Sequence, residues 1–194
     1  MNKLDKLVNI LLNDGVICVP TDTVYGLCTM INSSKGYKKL IEIKKRPSNK
    51  EFPIMCSNYK QIESIANIDE ISKKIINRFM PGPITIILMK KDNVEIEGIS
   101  GDTIAIRLAP TKEIKYLIEK INKPLFMTSA NISGNSECKS IKEIKNTFNS
   151  LDGILEGNVS LKKASTIVDC TNSDIKLLRE GPISLNEIKN SLTM

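Results

Sequence analysis

The sequence predicts an α/β fold, a single domain over residues 1–194 built on a twisted, mostly mixed open β-sheet flanked by helices. Three observations carry the prediction. Short apolar runs rich in β-branched residues alternate with stretches of helical periodicity. No internal repeat, low-complexity tract or linker interrupts that alternation. The length of 194 residues, with 41% hydrophobic and 26% charged content, suits one sizeable core.

The elements follow in order. Leu4, Leu7, Val8, Leu11 and Leu12 recur at helical spacing, and Gly15 stands where a C-terminal cap belongs. The run VICV at 16–19 reads as a buried strand ending at Pro20. TDTVYGLCTM at 21–30 receives no element of its own. A helix then runs from Ser33 or Ser34 to Lys45, because Tyr37, Leu40, Ile41 and Lys44 share one side, a serine can cap it, and Pro47 disfavours helical geometry at Arg46.

A strand at 53–56 precedes helices at 59–66 and 70–79, and Pro-Gly-Pro at 81–83 punctuates the chain. The strands ITIILMK at 84–90 and TIAIRLA at 103–109 flank a polar, glycine-containing connection. A helix at 113–121 and a strand at 125–128 come next. A helix at 141–148, strands near 153–156, 165–169 and 175–178, and a helix at 185–192 complete the order.

Composition removes several chemistries. With no histidine, the chain has no imidazole base, no Ser-His-Asp or Cys-His nucleophile system and no histidine metal ligand. Five cysteines, an odd number without a C-x-x-C pair, argue against a disulfide framework and a zinc knuckle, and Cys18 and Cys56 read as small buried hydrophobes. The N-terminal segment alternates charge with apolar residues and so does not read as a signal peptide. The apolar run around 84–89 is far too short for a membrane span, so the expected place is the cytoplasm. There is no GxxxxGK[ST], no GxGxxG and no metal-ligand spacing.

Arginine usage is more informative. Of 28 basic residues only Arg46, Arg78, Arg107 and Arg179 are arginine, so each marks a place where a planar fork matters more than generic charge. Arg78, near Lys73 and Lys74 on a helix, reads as a solvated face. In TIAIRLA, strand alternation sends Thr103, Ala105 and Arg107 to one face, although an exposed arginine on an ordinary amphipathic strand gives the same pattern. Lys44 and Arg46 face one side only if the chain is extended there; a basic helix end is the alternative.

Ser129 and Asn131, two apart after the strand PLFMT, point into the crevice where open α/β sheets bind ligands, or form a plain turn. Thr21 and Thr23 share a face with Tyr25 nearby, or the string is a strand end with an Asx turn at Asp22. Ser165-Thr166 and Arg179-x-Gly181 lie near two C-terminal strands. The net charge of +6, with clusters at Lys38-Lys39, Lys44-Lys45-Arg46, Lys73-Lys74, Lys90-Lys91 and Lys162-Lys163, leaves open an RNA-binding module without enzymatic activity. Four Phe, four Tyr and no Trp, with no aromatic string, argue against specific base stacking.

Taken together and in order, PTDTVYGL, KKRP, PGPITIIL, TIAIRLAP, TSANISG, STIVDCT and LLREGPI resemble the YrdC family, the threonylcarbamoyl-AMP synthases, over residues 15–183. The resemblance implies a YrdC-like sheet whose concave, positively charged face joins L-threonine, bicarbonate and ATP, accompanied by Mg2+, and releases pyrophosphate. The product serves threonylcarbamoyl-adenosine formation in tRNA. The resemblance also implies partners: weak tRNA contact, and the threonylcarbamoyl transferase complex downstream. The chain ends soon after Ile183 and so resembles the short family form.

Carried over by position, Lys44 and Arg46 are the catalytic pair and hold the ATP phosphates, with Lys50, Thr103, Asn131 and Arg179 also on the nucleotide. Thr23, Tyr25, Arg107, Ser129 and Ser165 would bind threonine, with Arg107 on its carboxylate. Where some relatives have a histidine nine residues after the motif arginine, this chain has Met55, and the threonine-rich segment that follows SANISG in relatives is here Glu137-Cys138-Lys139-Ser140.

Overall fold

The apolar alternation that marks the strands also dictates how they stack. In the computed structural model, which describes residues 2–47, 50–172 and 174–193, nine strands hydrogen-bond into one sheet. Met1, Ser48, Asn49, Ser173 and Met194, which the expected domain span includes, lie outside the described residues.

The chain begins α1 (Lys3–Leu12), β1 (Ile17–Pro20), β2 (Tyr25–Met30), α2 (Ser34–Lys44) and β3 (Ile54–Cys56). It continues α3 (Tyr59–Ile65), α4 (Glu70–Phe79), β4 (Ile84–Met89), β5 (Thr103–Leu108), α5 (Lys112–Ile121) and β6 (Leu125–Ser129). It ends α6 (Ile141–Thr147), β7 (Gly153–Ile154), β8 (Thr166–Asp169), β9 (Lys176–Arg179) and α7 (Leu185–Leu192). The sheet order is β7-β1-β2-β6-β3-β5-β4-β8-β9. It is mixed: β1/β7, β3/β5 and β4/β8 run parallel, while β1/β2, β2/β6, β3/β6, β4/β5 and β8/β9 run antiparallel.

Two points differ from the sequence expectation. Residues 25–30 form a full strand, β2, in hairpin register with β1 (Cys18 opposite Leu27) and paired on its other side with β6. Its sequence, YGLCTM, lacks a β-branched run, so propensity gave no signal; pairing on both edges supplies the stability instead. At the end of α1 the left-handed residue is Asp14 (φ 61°), not Gly15. Gly15 is needed for close approach: its N–H donates to Ile10 O at 2.9 Å, and a Cβ there would lie 2.7 Å from that same oxygen.

Strand alternation sorts the core onto two faces. On one, Cys18, Leu27, Ile54, Ile86, Ile106 and Phe126 pack with Leu40 of α2, Ile62 of α3, Ile75 of α4, Ile144 of α6 and Ile188 of α7. On the other, Ile17, Val19, Cys28, Met55, Leu125 and Met127 meet Leu7 and Leu11 of α1 and Ile114, Leu117 and Ile118 of α5. Five helices serve the first face and two the second. The second face is therefore only partly roofed.

One segment crosses the sheet without forming regular structure. Residues 155–165 run from β7 at one edge to β8, next to the other edge, a passage of seven inter-strand steps. At about 4.8 Å per step this is roughly 34 Å measured along the sheet. The strap is pinned on the way by Leu155 N–H to Cys18 O (2.8 Å), by the Tyr25 hydroxyl to Gly157 O (2.7 Å) and by Leu161 N–H to Asp22 O (2.9 Å).

All five cysteines are buried and unpaired. Burial pushes the thiols of Cys18, Cys56 and Cys170 up to about 12 from the ordinary 9.0, and raises Cys28 as well. An unfolded chain would release these four protons near pH 9 while the folded chain keeps them, so stability is full below pH 9 and is lost as pH rises towards 12. Lys44 acts in the opposite sense, since burial and then Arg46 lower it to about 8 from 10.5. Four thiols outweigh one amine. We expect the urea midpoint to fall as pH rises from 9 to 11; a rising midpoint would contradict this burial pattern.

No helix among the described residues is long and apolar enough to cross a membrane.

Candidate active site

The partly roofed face carries a cavity of about 190 Å3. Its walls come from the β1–β2 turn (Thr21, Thr23), β3 (Met55), β4 (Thr85), β5 (Arg107), β6 (Met127, Ser129), the end of the strap (Ala164, Ser165) and β9 (Arg179), with Arg46 from the segment after α2. Three of the four arginines of the chain therefore meet at one place, while Arg78 stays exposed on α4.

Each arginine is anchored before any ligand arrives. Arg107 is 6% exposed and donates Nε–H to Gly82 O (2.9 Å), Nη1–H to Thr23 Oγ1 (3.1 Å) and Nη2–H to Asp22 Oδ1, forming an ion pair. Arg46 donates to Lys50 O (2.8 Å) and Glu51 O (2.7 Å) and lies over the Phe52 ring, 4.7 Å from its centroid. Phe52 is itself held edge-on by Tyr37 in the core. Arg179 donates to Ser165 O (2.9 Å) and Ser165 Oγ (3.2 Å). Burial lowers the pKa of all three, partly offset for Arg107 by Asp22.

A guanidinium has five N–H donors. Arg107 uses three and the other two arginines use two each in these bonds, so every fork is fixed in direction yet keeps donors for an anion.

The hydroxyls are arranged with equal economy of motion. Thr21 Oγ1 lies 2.9 Å from Thr23 Oγ1 and accepts from Thr23 N–H (3.1 Å) and Val24 N–H (3.2 Å). The turn is thus made by threonine and not by an Asx turn at Asp22, whose carboxylate turns to Arg107 instead. Ser165 Oγ bridges Thr85 Oγ1 (2.9 Å) and Arg179. Ser129 Oγ donates to Asn131 Oδ1 (2.7 Å).

Of the residues expected to act, Thr23, Arg46, Arg107, Ser129, Ser165 and Arg179 line the cavity. Tyr25 also borders it, but its ring is in the core and its hydroxyl serves the strap. Four of the expected residues do not line the cavity. Lys44 is 1% exposed and spends its three protons on Ser129 O (2.6 Å), Asn131 O (2.9 Å) and Asn131 Oδ1 (3.1 Å), so it fixes the strand end rather than facing the cavity. The Asn131 amide is likewise consumed, donating to Ile132 O (3.0 Å) and Asn135 O (2.8 Å). Thr103 sits opposite Met89, at the far end of β5 from Arg107. The Lys50 side chain is exposed and only its carbonyl contributes, by orienting Arg46.

Lys44→Met should lower folding stability by about 1–2 kcal/mol by stranding two carbonyls, a loss read by urea denaturation. An unchanged midpoint would mean that those oxygens find other donors.

Thr85, Met55 and Met127 line the cavity without having been picked out as site residues. Thr85 had a signal, a hydroxyl breaking the apolar run of β4 and facing away from Ile84 and Ile86. Met55 was marked only through the resemblance, as the position where some relatives have a histidine, and Met127 had no signal, because an apolar strand residue looks alike above a core or a cavity. Among the described residues no group of three or more His, Cys, Asp or Glu could hold a metal ion.

Comparison with known proteins finds relatives over nearly the whole chain. A threonylcarbamoyl-AMP synthase of Photobacterium profundum is 30% identical over 186 residues, covering 93% of this chain and 100% of that protein. One from Wigglesworthia glossinidia brevipalpis is 32% identical, covering 92% of this chain and 93% of the other. The crystal structure of Pyrococcus abyssi Sua5 complexed with L-threonine superposes with a TM-score of 0.90 at 29% identity, over 97% of this chain and 57% of that one. The family model Sua5_yciO_yrdC, described as "Telomere recombination", matches residues 9–181, and the chain therefore belongs to the Sua5/YciO/YrdC family.

Proposed function

We propose that the protein is a threonylcarbamoyl-AMP synthase, a nucleotidyltransferase that forms L-threonylcarbamoyladenylate and pyrophosphate from L-threonine, bicarbonate or CO2, and ATP. The observation that carries this reading is the convergence of Arg46, Arg107 and Arg179, each pre-anchored, around a wall of hydroxyls. The relatives named for this activity support it, and so does the L-threonine complex of a Sua5 protein with the same fold.

In the proposed mechanism Arg107 takes the threonine carboxylate and the hydroxyls of Thr23, Ser129 and Ser165 hold its polar groups. The free amine of threonine adds to CO2 and gives up a proton to solvent, forming a carbamate, and a carbamate oxygen attacks the α-phosphorus of ATP as the bond to the departing pyrophosphate breaks. Such a transfer needs alignment and neutralisation of growing negative charge, not a proton shuttle. Arg46 and Arg179 supply that charge from fixed positions, which suits a chain without histidine. The cavity of about 190 Å3 is small beside the roughly 300–1,000 Å3 of a drug-sized site, so the amino acid occupies it and the nucleotide lies along its open side. Mg2+ would enter with ATP, held mainly by the nucleotide and not by a dedicated set of side chains, and would add to the neutralisation of phosphate charge supplied by Arg46 and Arg179. Lys44 acts through Ser129 and Asn131. The product is handed in the cytoplasm to a transferase that modifies tRNA, and RNA contact through the surface lysines is salt-sensitive.

The test is incubation with ATP, bicarbonate and L-threonine, followed by mass spectrometry for threonylcarbamoyl-AMP. Pyrophosphate release that ignores threonine would overturn the reading. Arg46→Ala should raise the KM for ATP about tenfold or more while leaving the threonine KM near its original value, and normal ATP kinetics would remove Arg46 from the site.

A further inference from the structure

Arg46 owes its direction to a segment that is neither helix nor strand. Its Nε–H and Nη2–H meet the carbonyls of Lys50 and Glu51 and its guanidinium lies over Phe52, so three consecutive residues between α2 and β3 aim the fork. Phe52 is buried, but Glu51 is tied from elsewhere. Its carboxylate oxygen Oε1 accepts Ser100 N–H (2.8 Å), Gly101 N–H (3.1 Å) and the Ser100 hydroxyl (3.4 Å), all from the connection between β4 and β5. That connection is itself fixed. Ile96 and Ile99 are buried and joined by a bond from Ile99 N–H to Ile96 O (3.0 Å). Between them the Gly98 carbonyl accepts the Tyr37 hydroxyl at 2.8 Å, and a Cβ on Gly98 would lie 2.2 Å from Tyr37 Cζ. Ser100 and Gly101 follow directly, and two successive backbone N–H groups form a concavity suited to a carboxylate.

Resting on the functional reading above, we infer that Glu51 is a positioning residue for the reaction: its carboxylate, seated on the β4–β5 connection, fixes its own carbonyl and thereby aims Arg46 at the ATP phosphates. The side chain and the carbonyl share one Cα, so a carboxylate held at its far end restricts the peptide plane that carries the acceptor. With the tie gone, residues 50 and 51 regain backbone freedom, and the fork that follows their carbonyls loses its direction. The same connection steadies the ring beneath Arg46, because Tyr37, which donates to Gly98 O, meets Phe52 edge-on at 5.5 Å between centroids. Arg107 and Arg179 take their directions from Gly82, Thr23, Asp22 and Ser165 and stay in place. The loss therefore falls on the nucleotide and spares the amino acid.

All three bonds fall on one oxygen, so reach and charge can be separated by substitution. Glu51→Gln keeps an oxygen in that place and loses the charge; Glu51→Asp keeps the charge and, one methylene shorter, loses the reach. Steady-state kinetics of the full chain, with threonylcarbamoyl-AMP measured by mass spectrometry, should show the ATP KM of Glu51→Asp raised about fivefold and its threonine KM within about twofold of wild type. Glu51→Gln should stay close to wild type in both. In an Arg46→Ala background Glu51→Asp should change the ATP KM by less than about twofold, because the side chain it acts through is gone. Wild-type ATP kinetics in Glu51→Asp overturn the inference alone, as do Glu51→Gln impaired as much as Glu51→Asp, or equal effects of Glu51→Asp with and without Arg46. Should Glu51→Asp fail to fold, Glu51→Ala is read against Glu51→Gln in its place. Wild-type protein that forms no threonylcarbamoyl-AMP overturns the functional reading, and this inference with it.

Discussion

Arg107→Lys is expected to weaken L-threonine binding by about 1.5–3 kcal/mol, roughly 10- to 150-fold, the scale of a hydrogen bond to a charged group. The native fork is anchored on three sides, by Gly82 O, Thr23 Oγ1 and Asp22, and still offers one N–H on each terminal nitrogen. A lysine ammonium in the same wall would satisfy Asp22 first and then have no planar pair of donors left for a second carboxylate. The effect should fall on the threonine KM and on calorimetric affinity, with the ATP KM little changed. Unchanged threonine affinity in a folded Arg107→Lys protein would remove this residue from the amino-acid site.

Gly181→Ala should cost about 3 kcal/mol or more of folding stability and displace Arg179 as well. A Cβ on Gly181 would lie 2.2 Å from Thr166 N and 2.5 Å from Ala164 O, backbone atoms that cannot swing aside. The approach is close because one hydroxyl ties two chain segments by three hydrogen bonds: Thr166 Oγ1 accepts Gly181 N–H (3.0 Å) and Ile183 N–H (3.1 Å) and donates to Ile183 O (2.6 Å). Pushing the segment off β8 would break the bond from Arg179 to Ser165 O, so ATP affinity should fall together with the melting temperature. Threonine affinity should fall less, since Arg107 is anchored elsewhere. A Gly181→Ala protein with a native melting temperature would contradict the packing described for β8 and β9.

Much of the fold could be read from periodicity because its elements carry their own signal. The strands at 84–89 and 103–108 and the helix at 70–79 come within a residue or two of expectation. The hairpin strand β2 escaped because YGLCTM is stabilised by neighbours on both edges, which no local window contains. The same division holds in the site. Arginine scarcity singled out Arg46, Arg107 and Arg179, and all three line the cavity, because the chemistry of a planar fork is a property of residue type. What each side chain touches is a property of the fold. Asp22 and Arg107 are 85 positions apart, and Lys44 is 85 from Ser129, so neither the ion pair nor the buried staple could be foreseen from spacing. Thr103 shares a strand face with Arg107, yet four residues of extended chain, about 13 Å, separate them.

The strap over residues 155–165 has one more consequence. Twelve residue steps separate Ile154 from Thr166, and bends at Ser160, Leu161 and Lys163 together with a left-handed Lys162 take up part of that length, while the two ends stand seven strands apart in the sheet. Asn158, Ser160 and Lys163 face solvent and are free to change identity, while Lys162, also exposed, sits at φ 52°, where a β-branched residue would be strained. Here the heritable quantity is a length. A shortened chain would pull on Asp22 through Leu161 and on Arg179 through Ser165 in one movement, so a deletion far from either ligand would detune both halves of the site at once.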